Sequence, residues 1–115
     1  MVVVEGNRDM GALRELGFRG PVERCSHSFL QGLCGELARL GTGARVVVLT
    51  DWDRKGEQLA RLLAGYLGGE GLTADLEPRR RLRALVREEV KDVEGLPSLR
   101  ARLTMETHPR DYFKY

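Results

Sequence analysis

Cysteine is scarce in this 115-residue chain, which has only Cys25 and Cys34. Two thiols nine residues apart make no disulfide framework and match no common zinc spacing. They are expected as small buried residues with reduced sulfurs. Histidine is limited to His27 and His108. Neither has ligand-like neighbours, so both are expected to be structural or superficial. Long apolar runs are missing too, and no stretch nears the ~20 residues a membrane span needs. The opening "MVVVEGNRD" has no basic region followed by a long apolar one, so it does not read as a secretory leader. The expected location is cytoplasmic. Internal repeats and low-complexity linkers are absent as well.

What remains is globular: 42% hydrophobic and 31% charged residues, in a length typical of one domain. At this size folding buries roughly 65% of the unfolded surface, enough for a self-sufficient core. The net charge of +2 does not by itself indicate a nucleic-acid partner. The basic residues are nonetheless lopsided, with three lysines among nineteen cations. Arginine suits bidentate phosphate contacts, although composition bias explains the same count.

Apolar periodicity alternates between strand-like and helix-like pieces. "MVVVEG", "GPVERC", "ARVVVLT" and "LTADLE" read as strands. "RDMGALRELGF" reads as a helix with Asp9 near its start and Gly17 as its stop. "FLQGLCGELARLG" is a second helix, stopped by Gly41, and "RKGEQLARLLAGYLGG" a third. After Pro78, "RRRLRALVREEV" places Leu82, Leu85, Val86 and Val90 on one helical face. A last helical piece is expected in "EGLPSLRARLTM", with Pro97 in its first turn, before the polar and aromatic tail "ETHPRDYFKY". This alternation predicts an α/β fold: a parallel sheet with helices on both faces. The run at 46–49 is apolar on both sides, as a central strand requires.

Two of these strands end in carboxylates: "VVVE" in Glu5, and "VVVLT" in Asp51 and Asp53. Ligands of open α/β sheets bind at the carboxyl ends of the strands. If both strands are central and parallel, three acids meet at one edge. Two ionised carboxylates ~5 Å apart repel by about 3 kcal/mol at an effective dielectric near 20. Such a cluster needs a raised pKa or a cation. A hard divalent ion with oxygen ligands, Mg²⁺ foremost with Mn²⁺ as a substitute, would relieve it. Taken singly, Asp51 or Asp53 could be a helix cap, and Glu5 a turn residue. One cap, however, explains only one aspartate. Arg54 and Lys55 oppose the dipole of the helix they begin, yet they are well placed to hold phosphates. Gly56 would admit a close backbone approach.

"VVVEGNRD" followed by "VVVLTDWDRKG" resembles the Toprim domain. That domain is shared by topoisomerases, bacterial-type primases, recombination-repair proteins, old-family nucleases and a ribosomal-RNA maturation nuclease. Its motifs are a Glu-Gly after the first strand and an Asp-x-Asp after a later one, here about 45 residues apart. The whole chain is similar to small stand-alone Toprim proteins, and the likeness extends into "KDVEGL" near position 91. The resemblance implies a Rossmann-like three-layer α/β/α sandwich with a four-stranded, mainly parallel central sheet. Residues 1–115 would then form a single domain with a C-terminal helical extension at about 79–105. The resemblance assigns acid–base chemistry to Glu5 and a Mg²⁺-binding pair to Asp51 and Asp53. Gly6, Asp9, Thr50, Arg54, Lys55 and Gly56 would complete the site.

Departures narrow the function. Tyr66, Tyr112 and Tyr115 lack the context of a topoisomerase nucleophile, and 115 residues leave no room for a primase's added domains. The His-Ala-Phe segment of the maturation nuclease is not present. Trp52, where many relatives have proline, can stack on a base but is expected to pack. Arg79, Arg83 and Arg87 are four apart and form a helical stripe able to follow a phosphate backbone. Alternatively, they form a solvated face paired with Glu88 and Glu89. The expected activity is Mg²⁺-dependent phosphodiester chemistry on DNA or RNA, as in a small nuclease or nucleotidyl-transfer enzyme. The alternative is a non-catalytic, metal- and nucleic-acid-binding subunit of a larger processing complex. No membrane partner is expected.

Overall fold

The computed structural model describes residues 1–25, 29–86, 92–98 and 100–101. Four strands form one sheet: β1 (Val2–Val4), β2 (Val22–Arg24), β3 (Arg45–Val48) and β4 (Thr73–Asp75). They are ordered β2-β1-β3-β4, and every neighbouring pair is parallel. Among the described residues four helices accompany them: α1 (Asn7–Glu15), α2 (Leu30–Leu37), α3 (Arg54–Gly69) and α4 (Glu77–Val86). A 3-10 turn covers Val93–Gly95, and helical backbone continues at 96–98.

Strand alternation divides the apolar residues between two cores. Val3, Val46 and Val48 face the side covered by α2 and α3, where Leu30, Cys34, Leu37, Leu59, Leu63 and Leu67 are buried. Val2 and Val4 face the opposite side with Ala12 and Leu13 of α1, Trp52, Val93 and Leu96. The three-layer arrangement follows from this division. Each fully buried valine or leucine contributes roughly 1.5–3 kcal/mol. Gly17 and Gly41 both sit at φ 100°, where a side chain would be strained, and they stop the helical turns ahead of them. Cys25 and Cys34 are free and buried, and burial pushes the Cys25 thiol up to about 11.

α4 begins one residue before Pro78, and its inward face differs from the expected one. Leu82 packs against the second core, whereas Leu85 is 78% exposed. Arg79 instead is the α4 side chain that is 5% exposed, because it has polar partners to bury against. Arg87, Val90, His27, His108, Tyr112 and Tyr115 lie outside the described residues; of the expected last helix, positions 94–98, 100 and 101 are described and are helical, with 94 and 95 in the 3-10 turn.

The topology fixes the site. From β1 the chain moves outward through α1 to β2, and from β3 it moves the other way through α3 to β4. The two connections cover opposite faces, so the order reverses between β1 and β3. This reversal opens a crevice at the carboxyl ends of those two strands.

Candidate metal centre

The β1–β3 register pairs Val3 with Val48, and the Leu49 N–H donates to the Val3 carbonyl at 2.8 Å. Extending that register by two residues sets Glu5 beside Thr50, one residue from Asp51. Each of Glu5, Asp9 and Asp51 offers an oxygen lying within 4.8 Å of the others'. Three chain segments supply them: the β1 end, the first turn of α1, and the β3–α3 loop.

Backbone donors orient two of the three acids. Asp9 Oδ2 accepts from the Gly6 N–H at 3.0 Å, so it reaches back across the start of α1. Asp51 Oδ1 accepts from the Val93 N–H at 3.0 Å, which ties the C-terminal 3-10 turn to the site. Glu5 Oε1 is buried and has no hydrogen-bond partner among the described residues. A buried polar oxygen without a partner is costly. Burial is the main cause pushing Glu5 up to about 8; contact with the Asp51 carboxyl and the charges of Asp51, Asp53 and Asp9 add to it. Asp9 is also raised, first by burial and then by Asp51, with the Gly6 N–H acting in the opposite direction.

The loop carrying Asp51 is held from behind. Arg79 Nε donates to the Thr50 carbonyl at 3.0 Å, and its NH2 to the Asp51 carbonyl at 2.6 Å. Its NH1 bonds Glu57 Oε2 at 2.8 Å, and this hydrogen bond is the first cause holding the Glu57 carboxyl below its usual range. The Thr50 hydroxyl donates to the Gly56 carbonyl at 2.7 Å. A Cβ on Gly56 would collide with the Asp51 carbonyl, so only glycine lets α3 start this close to the loop.

The donor set suits a hard cation. All three groups are carboxylates, the preferred ligands of Mg²⁺, Ca²⁺ or Mn²⁺. The unpartnered Glu5 oxygen is what a bound cation or a retained proton would satisfy. The trio is a candidate divalent-metal centre.

A family model described as "Toprim domain" matches residues 1–85. The chain belongs to the Toprim family. Relatives of this Toprim chain include a UPF0292 protein of Methanosarcina barkeri, 42% identical over 93% of this chain and 73% of its own length. A UPF0292 protein of Pyrococcus horikoshii is 40% identical over 94% of this chain and 80% of its own. A solved structure of a protein from Aquifex aeolicus matches with a TM-score of 0.66 at 23% identity, over 82% of each chain, and shares the fold.

Of the acids expected at the Toprim site, the structure brings Glu5 and Asp51 together, with Asp9, expected to complete the site, as the third member of the group. Asp53 stands outside that trio. It is the N-cap of α3, its Oδ1 accepting from the Gly56 N–H at 2.7 Å, though its charge still reaches Glu5. Arg54 and Lys55 diverge. Lys55 lines a groove of about 840 Å³ with Glu5 and Gly6. Arg54 lines a separate hollow of about 350 Å³ with Trp52, Asp53, Arg61 and Arg83. Gly6 leaves open space where a side chain would project. Trp52 is buried against the second core, as expected from packing.

The arginine stripe is not an open basic face over its described part. Arg79 is committed to the Asp51 loop, and Arg83 lies 3.5 Å from Glu57. Arg80 and Arg81 pair with Glu77. Asp9, expected both near the start of α1 and as part of the site, holds both places: from the third position of the helix it reaches back over the cap. The likeness reached the "KDVEGL" segment, but its contact with Asp51 through the Val93 N–H joins residues 42 apart and no local pattern marks it.

Proposed function

We propose that this Toprim chain carries out divalent-metal-dependent phosphodiester chemistry on nucleic acid, with Mg²⁺ or Mn²⁺ held by Glu5, Asp9 and Asp51. The observation that carries the reading is the unpartnered, buried Glu5 oxygen inside a group of three converging carboxylates. Bound there, the cation would neutralise the carboxylates and stabilise charge developing on a phosphoryl oxygen. Glu5 keeps its proton at neutral pH while the cation is away, since its pKa lies at about 8. A neighbouring cation favours the carboxylate. With the cation in place Glu5 would thus be a carboxylate, and its role would be that of a base taking a proton from attacking water. Lys55 neutralises a phosphate entering the groove, and the bare Gly6 backbone lets it come close. Asp53 adds negative charge at the rim while capping α3.

The test is cleavage of labelled single-stranded, duplex and structured DNA and RNA with Mg²⁺, Mn²⁺ or EDTA. Metal-dependent cleavage lost in Glu5→Gln and Asp51→Asn supports the reading; activity that survives both variants rejects it. A second reading is a non-catalytic module in a nucleic-acid-processing complex. It draws support from Leu62 and Leu85, exposed on the outer sides of α3 and α4. Nucleic-acid binding without cleavage, unchanged by EDTA, would favour that module.

A further inference from the structure

Phe29 is an exposed aromatic side chain, 72% accessible to solvent. It occupies the N-cap position of α2 yet makes no side-chain capping bond there. Among the described residues, neither packing nor capping explains an aromatic ring at this place. It lines the same 840 Å³ groove that Glu5, Gly6 and Lys55 line at the acidic end. Leu33 and Leu59 give the groove apolar surface, Glu23 and Glu36 bring carboxylates, and Arg24 brings a second cation beside Lys55.

This mixture is poorly suited to the outside of a duplex. A duplex backbone presents dense phosphate charge, and the groove sets Glu23 and Glu36 against it. An unstacked base has different needs. It requires a flat apolar partner for its face, acceptors for its amino edge, and a cation for its own phosphate. Phe29 supplies the first. Glu23 and Glu36 can accept from exocyclic amino groups, and Lys55 and Arg24 supply positive charge. A base stacked in a duplex keeps its groove edges but has no free face for an aromatic ring.

We propose that this groove binds a single polynucleotide strand, with one unstacked base on Phe29 and its neighbouring phosphate directed by Lys55 toward the acidic trio. The proposal rests on the phosphodiester reading of that trio for its direction, and it deepens that reading by naming the substrate as single-stranded. Phe29 is a specificity residue here, and no proton or bond passes through it.

The test is fluorescence anisotropy with a labelled 12-nucleotide single strand, as DNA and as RNA, and with the matched duplexes. It uses the intact chain in Ca²⁺ and in EDTA. The single strand should bind more tightly than its duplex. Phe29→Ala should weaken single-strand binding about tenfold, the loss expected for one base–aromatic stack, while Phe29→Trp should retain it. The exposed position of Phe29 means both variants should melt within a few degrees of the parent, so a folding defect is separable. Equal affinity for strand and duplex, or unchanged binding in Phe29→Ala, overturns the proposal whether or not the chain cleaves anything. Strand-selective binding that depends on Phe29, in a chain that cleaves nothing, supports this proposal while rejecting the catalytic reading.

Discussion

Replacing Glu5 by glutamine should stabilise the metal-free protein, and increasingly so as the pH rises. In the folded chain Glu5 titrates at about 8 instead of 4.5. Below pH 4.5 both folded and unfolded chains keep the proton, and the favourable contribution of the protonated form is fully present. Between 4.5 and 8 the unfolded chain ionises while the folded one does not, so stability falls as the pH rises, and the whole loss is felt above 8. At ~1.36 kcal/mol per unit the ceiling is about 5 kcal/mol. The geometry supports that order: a like-charge pair within 4.8 Å costs about 3.5 kcal/mol or more at a dielectric near 20. Glu5 is half-buried and lines a solvent-open groove, so water screens roughly half of it, leaving about 2 kcal/mol. For a chain of this length that is about 8 °C in Tm. The assay is thermal unfolding followed by circular dichroism, in EDTA, at pH 5, 7 and 9. The two proteins should nearly coincide at pH 5, and Glu5→Gln should melt about 8 °C higher at pH 9. Adding Mn²⁺ should close that gap by raising the parent alone. A pH-independent difference, or a variant less stable at pH 9, would refute the reasoning.

Other substitutions separate the supporting roles. Arg79→Gln should cost about 3 kcal/mol in urea unfolding, because it abandons buried loop carbonyls and the Glu57 charge. Arg79→Lys should not restore the loss, since a single ammonium cannot span the same three acceptors; a cost below about 0.5 kcal/mol would remove Arg79 from this role. Asp53→Ala should cost about 1 kcal/mol as a lost cap, and Asp53→Asn much less. Divalent-ion titration of Asp53→Asn should show a smaller loss of affinity than Asp9→Asn; the reverse order would place Asp53 among the ligands.

The strands were legible because parallel β1 and β3 are buried on both faces, which forces near-continuous runs of valine. The helices were legible from their spacing and from Gly17 and Gly41 at their ends. The acidic edge followed, since strand ends at a reversal of sheet order are where such folds bind ligands. Sequence spacing could not say which carboxylates converge. Asp53 is closer to Asp51 along the chain than Asp9 is, but the tight start of α3 turns its oxygen onto the Gly56 N–H. The four-residue rhythm of Arg79 and Arg83 was visible, but their surroundings were not. Burial of Arg79 depends on carbonyls 28 and 29 residues away, and no local pattern encodes that.

Isothermal titration with Mg²⁺ and Mn²⁺ tests the central claim most directly. The parent chain should bind one divalent ion with release of protons at pH 7, and Asp51→Asn and Asp9→Asn, still folded, should each lose that binding by tenfold or more. Absence of divalent binding by the folded parent, or affinity unchanged in both variants, would contradict the assignment of these carboxylates as a metal centre.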